Sequence, residues 1–163
     1  MNTINKLYQK WIISFLAVLF IYSAAHAQNK DQSISNLIQS KQYVFKVQTM
    51  LPIGGRSRQV TSDYDLTVSG DTVISYLPYI GRAYAGIDPN DNGMNFTSTS
   101  FDYKLEPRKK GGWDITISPK DTKDVRIMTF SLSESGYGSL QVISNNRSNI
   151  SYNGYITAIR QKK

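Results

Sequence analysis

The sequence predicts an all-β fold: an antiparallel meander of about eight strands closing as a lipocalin-like barrel, with a short N-terminal helix. Three observations carry this. Apolar and polar residues alternate in short runs from Tyr43 onward. Clusters of Gly, Pro, Asn, Asp and Ser interrupt those runs at intervals of about 8–12 residues, the spacing of sandwiches and barrels. No linker, repeat or low-complexity tract divides the 163 residues. Short successive turns favour a meander, and closure removes edges that would otherwise template aggregation.

The elements follow in chain order. Within 28–41, Ile34, Leu37 and Ile38 have i, i+3, i+4 spacing, one apolar stripe on a short helix that Asp31 or Ser33 could cap. Tyr43, Phe45 and Val47 alternate with Val44, Lys46 and Gln48, a strand with one face to the core. Pro52, Gly54 and Gly55 make a turn, and Arg58 to Val68 reads as the second strand. Ser69-Gly70-Asp71 is a hairpin turn, and Thr72 to Leu77 returns to Pro78. After a loop over 85–93, Met94 to Ser100 and Phe101 to Leu105 read as two strands or one bent strand. Trp113, Ile115 and Ile117 share a face of the next. Val125 to Leu132 is apolar on both faces, as in a well-covered strand. Tyr137 to Ile143 and Ile150 to Ile159 complete the series, and Arg160 to Lys163 is an expected frayed tail.

Residues 1–27 have the pattern of a signal peptide. Lys6 and Lys10 precede the apolar run Trp11 to Tyr22, and Ala25-His26-Ala27 gives the small-x-small cleavage pattern before Gln28. An uncleaved anchor is the rival, but the run is short of the roughly 20 residues that span a bilayer. Residues 28–163 then form a single β-barrel domain, periplasmic or secreted and not integral to the membrane after cleavage. The whole chain carries a net charge of +7, and loss of Lys6 and Lys10 without any acid lowers it by two. The cations are spread along the chain, with Arg108-Lys109-Lys110 the densest run, so nucleic acid is not an expected partner.

Cysteine is absent, and the one histidine, His26, lies in the expected leader. Residues 28–163 therefore lack the groups for Ser-His-Asp or Cys-His catalysis and for zinc, copper or haem sites built on Cys or His. No metal or other cofactor is expected, and the protein is not expected to be an enzyme.

Three segments carry a resemblance: Gly55-Arg56-Ser57-Arg58-Gln59-Val60-Thr61-Ser62-Asp63-Tyr64, Leu77-Pro78-Tyr79-Ile80-Gly81-Arg82-Ala83-Tyr84, and Asn145-Asn146-Arg147-Ser148-Asn149-Ile150-Ser151-Tyr152-Asn153-Gly154. Together with the Lys110-Gly111-Gly112-Trp113 turn, they resemble the exported bacterial family called domain of unknown function 4251. The resemblance covers nearly all of 28–163. It implies a secreted or periplasmic β-rich domain with a lipocalin-like barrel, and neither catalytic residues nor a ligand. Ile80 departs from it, standing where an aromatic is more usual.

The segment Leu77–Tyr84 gathers tyrosines about an arginine. As a ligand mouth it would use Arg82, Tyr76, Tyr79 and Tyr84, joined by Arg147 and Tyr152 if the corresponding barrel ends coincide. As a structural corner, Arg82 would stack on a tyrosine and bond carbonyls that lose ladder partners, and this is the favoured alternative. Arg147 is otherwise expected to be a solvated turn residue. Asp88-Pro89-Asn90-Asp91-Asn92-Gly93 matches half of a calcium loop, but the twelfth position is Thr99 instead of glutamate, so an Asx-rich turn is expected. Asp63 and Asp65 share a strand face, and Asp102 could lie near another, but no pair of acids stands out for acid–base chemistry.

The function expected from these features is a non-enzymatic binding module for a small lipid, sugar or other apolar or anionic ligand. The alternative is a structural or interaction protein of the cell envelope with a solid core and a protein partner. A carboxylate-based hydrolase ranks last.

Overall fold

The structure, a computed structural model, describes residues 34–84 and 93–160. The expected signal peptide 1–27, the Asp31 or Ser33 cap, the calcium-like loop up to Asn92 and the tail 161–163 lie outside the described residues.

A helix, α1 (34–39), leads into ten antiparallel strands: β1 (Gln42–Pro52), β2 (Arg58–Gln59), β3 (Asp65–Ser69), β4 (Thr72–Pro78), β5 (Gly93–Ser98), β6 (Phe101–Pro107), β7 (Trp113–Pro119), β8 (Val125–Leu132), β9 (Tyr137–Ser144) and β10 (Ile150–Thr157). Nine are long, against the eight expected. The sheet runs β5-β4-β3-β1-β10-β9-β8-β7-β6, with β2 paired to β1. This is a meander whose first and last strands meet, with Val44 opposite Thr157 and Pro52 opposite Ile150. The barrel is nearly closed.

The one seam without ladder pairing falls between β5 and β6, which are neighbours in sequence. The β7–β8 turn bridges it. Asp121 accepts hydrogen bonds from the Ser98 hydroxyl, from the Thr99 amide at 2.9 Å and from the Ser100 amide at 3.2 Å. The Lys120 amide donates to the Ser100 carbonyl at 2.7 Å. The Ser98 hydroxyl first, then the Thr99 amide, hold the Asp121 carboxyl below its usual pKa.

The second strand expected over Arg58 to Val68 is two strands. A bulge in β1 between Val47 and Thr49 explains the break. Before it, β1 pairs β3 through Gln42 to Lys46; after it, β1 pairs β2 through Thr49 and Met50. A bulge bends its strand and increases local twist, so one partner cannot follow both halves. Of the two readings of 94–105, two strands or one bent strand, the first holds: β5 and β6 part at Thr99-Ser100.

Alternation decides which side chains fill the barrel. Phe45, Leu66, Leu77, Ile115, Phe130 and Leu140 point inward with no surface that water could touch. Phe130 sits edge-on to Phe45 at 5.3 Å and to Tyr43 at 6.4 Å between ring centres. Val125 to Leu132, expected to be covered on both sides, buries Val125 and, after a register shift before Ile127, alternates with Met128, Phe130 and Leu132 buried, while Arg126 is exposed.

Helix α1 packs on this core with Ile34 and Ile38, as its stripe predicts. Ile34 lies over Gly136, whose φ of +83° is the left-handed conformation that the β8–β9 turn needs. Tyr103 anchors the same region: its hydroxyl reaches the Ile38 carbonyl at 3.5 Å and the Tyr43 hydroxyl at 3.3 Å. Among the described residues no helix is long and apolar enough to cross a membrane.

Candidate functional site

The corner begins where β4 ends. Pro78 closes the strand without a donor to continue the ladder, and its carbonyl accepts the Tyr152 hydroxyl at 2.7 Å. Tyr152 comes from β10 and is fully buried. Burial above all raises its pKa; neighbouring Tyr79 adds to the rise and Arg147 opposes it.

The chain after Pro78 runs along the β9–β10 loop. Ala83 bridges Arg147, the Tyr84 amide donates to the Asn146 carbonyl at 2.7 Å, and the Ser148 amide donates to the Arg82 carbonyl at 2.9 Å. The Tyr79 hydroxyl lies within bonding distance of the Arg82 carbonyl (2.9 Å), the Ser148 carbonyl (3.1 Å) and the Ser148 hydroxyl (2.8 Å). It donates to a carbonyl and is free to accept from the serine. Gly81 is required by space: a Cβ there would stand 2.4 Å from the Tyr79 hydroxyl oxygen and 2.6 Å from Ser148 Oγ.

Arg147 is the cation of this corner. Its side chain is 2% exposed, Nε donates to Asp124 Oδ2 at 2.8 Å, and the guanidinium lies 5.0 Å from the centre of the Tyr79 ring. Ser144 fixes both partners: its hydroxyl donates to Asp124 Oδ1 and accepts the Arg147 amide at 3.0 Å and the Asn146 amide at 3.1 Å. The turn arginine expected in solvent is thus buried, because Asp124, at the start of β8, supplies a counter-charge and Tyr79 supplies a ring face.

The structure therefore brings together Tyr79, Arg147 and Tyr152 from the expected set. It does not bring in Arg82 as expected: its side chain is exposed, and its backbone does the bonding. Tyr84 joins through its backbone while its ring is 59% exposed. Tyr76 faces outward from β4, packed on Tyr64 at 5.1 Å. Asp124 and Ser144 were not anticipated. The signal that could have found them is their position at the start of β8 and the end of β9, strands expected to be neighbours.

Chemically, this corner is a self-satisfied polar lock. Among the described residues, no buried side-chain nitrogen or oxygen lacks a hydrogen-bond partner. Two of the carboxylates considered for acid–base work are engaged in ion pairs: Asp65 with Lys46 at 2.6 Å and Asp102 with Lys120 at 2.7 Å. Among the described residues no group of three or more His, Cys, Asp or Glu could hold a metal ion.

The comparisons with known proteins agree with this architecture. The family model of a domain of unknown function, DUF4251, matches residues 25–156. The chain is similar in fold to the crystal structure of a DUF4251 family protein from Bacteroides eggerthii DSM 20697, with a TM-score of 0.58 and 15% identity over 79% of this chain and 87% of that one. No curated protein matches the chain. Its two fused halves of the corner, Leu77–Tyr84 and Asn145–Gly154, lie within a match that spans most of its length, and the chain belongs to the DUF4251 family.

Proposed function

We propose that this protein is a non-enzymatic interaction module of the cell envelope, a solid barrel that meets its partner with its outer surface. The close packing of the described core side chains carries this proposal. Side chains such as Phe45, Phe130, Leu140 and Tyr152 touch no space that a water could enter. A barrel that holds a lipid or other small ligand inside needs a cavity of several hundred Å³. The corner adds support, because Arg147 and Tyr79 spend their polar groups on Asp124 and Ser148. An envelope location is supported by the leader pattern of residues 1–27.

Native mass spectrometry of the protein purified from its own host tests the solid-barrel part. The expected mass is that of the polypeptide alone. A bound small molecule that survives buffer exchange and leaves on unfolding would overturn the proposal in favour of an internal ligand site. Fractionation of the host with an antibody to the protein tests the location, with recovery in the cytoplasm as the contrary result.

A further inference from the structure

We infer that the outer face of β4, β3, β1, β10 and β9 is a binding strip for an extended neutral glycan. This rests on the proposal of a surface-binding module and names its ligand class. Strand register sets one row across the five strands: Tyr76 opposite Asp65, Asp65 opposite Lys46, Lys46 opposite Tyr155, and Tyr155 opposite Tyr137. All five side chains face outward, because their strand neighbours Leu77, Leu66, Phe45 and Ile156 are buried in the core.

The row has an aromatic ledge at each end and an ion pair between them. Tyr76 is 50% exposed and backed by Tyr64, their rings tilted by 31°. Tyr137 is 54% exposed and backed by Tyr155 at 5.6 Å with a tilt of 40°. Each pair props a ring at the surface without surrendering it to the core. Between them the half-buried Lys46–Asp65 pair closes at 2.6 Å.

Two grooves open onto the row between Asp65 and Tyr137. One, of about 370 Å³, is lined by Lys46, Asp63, Asp65, Tyr155 and Arg160, among others. The other, of about 490 Å³, takes in Gln48, Arg108, Tyr137, Ser139 and Asn153. The stacked Tyr155 and Tyr137 rings join them. Four strand spacings of about 4.8 Å separate Tyr76 from Tyr137, roughly 19 Å along the sheet. That accommodates several linked sugar rings and exceeds one monosaccharide.

The chemistry selects the ligand. A pyranose has a flat C–H face that lies on an aromatic ring and hydroxyls around its rim that need paired donors and acceptors. Tyrosine offers an apolar body with a polar tip, and Gln48, Asn153, Ser139 and the ion pair offer the donors and acceptors. The charges along both grooves are matched, Lys46 and Arg160 against Asp63 and Asp65 in the first, and Arg108 against Asp114 beside the second at 3.7 Å. An anionic or cationic polymer gains nothing there, so the matching glycan is neutral.

Isothermal titration with soluble hydroxyethylcellulose, xylan, mannan and starch tests this. At least one polymer is expected to bind, and the Tyr76→Ala/Tyr137→Ala variant is expected to weaken it by about tenfold or more while its circular dichroism is unchanged. Arg82→Ala, away from the strip, should bind as the wild type does. Failure of all four polymers, or equal binding by the double tyrosine variant, overturns the inference. Chemical crosslinking in the host that captures a protein partner through this face, with no polysaccharide bound, also overturns it while leaving the surface-binding proposal standing. A retained internal ligand sinks that proposal independently of the glycan result.

Discussion

The Arg147 guanidinium stands over the Tyr79 ring while its Nε bonds Asp124, so one side chain joins the start of β8, the β9–β10 loop and the segment after β4. Removing it leaves Asp124 half-buried without its counter-charge. Arg147→Ala is expected to cost about 3–5 kcal/mol, as for other broken buried pairs. Arg147→Lys should recover only part of this, because an ammonium lacks the planar face and fork. Urea unfolding of the three proteins measures both.

Arg82 supplies the contrast. Its side chain is exposed and only its backbone bonds the corner. Arg82→Ala should change stability by no more than about 0.5 kcal/mol. A thermal midpoint lowered as far as that of Arg147→Ala would show that the wrong arginine has been placed at the centre of the lock.

Gly81→Ala forces a methyl group toward Tyr79 and Ser148. The expected penalty is about 1–3 kcal/mol, as for overpacking elsewhere. The effect should be local. Hydrogen exchange should quicken at the Tyr84 and Ser148 amides, which bond across the corner, and stay slow at Phe45 and Phe130 in the strands.

Three phenols predict an alkaline limit. Tyr43, Tyr103 and Tyr152 are all held above the ordinary value of about 10, burial being the largest cause in each. The unfolded chain then loses these protons at lower pH than the folded one. Their contribution is intact below about pH 10 and is lost as pH rises beyond it. Absorbance at the phenolate band should report their ionisation together with unfolding.

Ile38→Ala should cost about 2–5 kcal/mol, since Ile38 is fully buried beneath α1 and its removal leaves a cavity. Exposed Asn36→Ala on the same helix should be nearly neutral, and chemical denaturation compares the two.

Much of this fold was legible because its strands obey a period of two. Tyr43 and Phe45, Leu66 and Val68, and Ile115 and Ile117 all face the core as their spacing predicts. The bulge after Val47 leaves no such trace, so the sequence reads as continuous strand across the break between β2 and β3. The corner was legible as a place and illegible as a circuit. Arg82 lies beside three tyrosines in sequence, which suggested that it was their partner. The actual partner, Arg147, arrives from a distant turn through the Ala83 bridge. Pairing across a barrel end depends on tertiary register, and local composition carries no information about that.

The meeting of β1 with β10 sets a timetable for folding. The first strand formed must wait for the last before its long edge is covered, and the Arg147 lock waits for the same stretch of chain. Such long-range pairings slow folding. A ribosome or a membrane channel would therefore handle this chain as an open thread until almost its final residues had emerged. Deleting β10 should yield an aggregation-prone chain with an uncovered β1, not a smaller barrel.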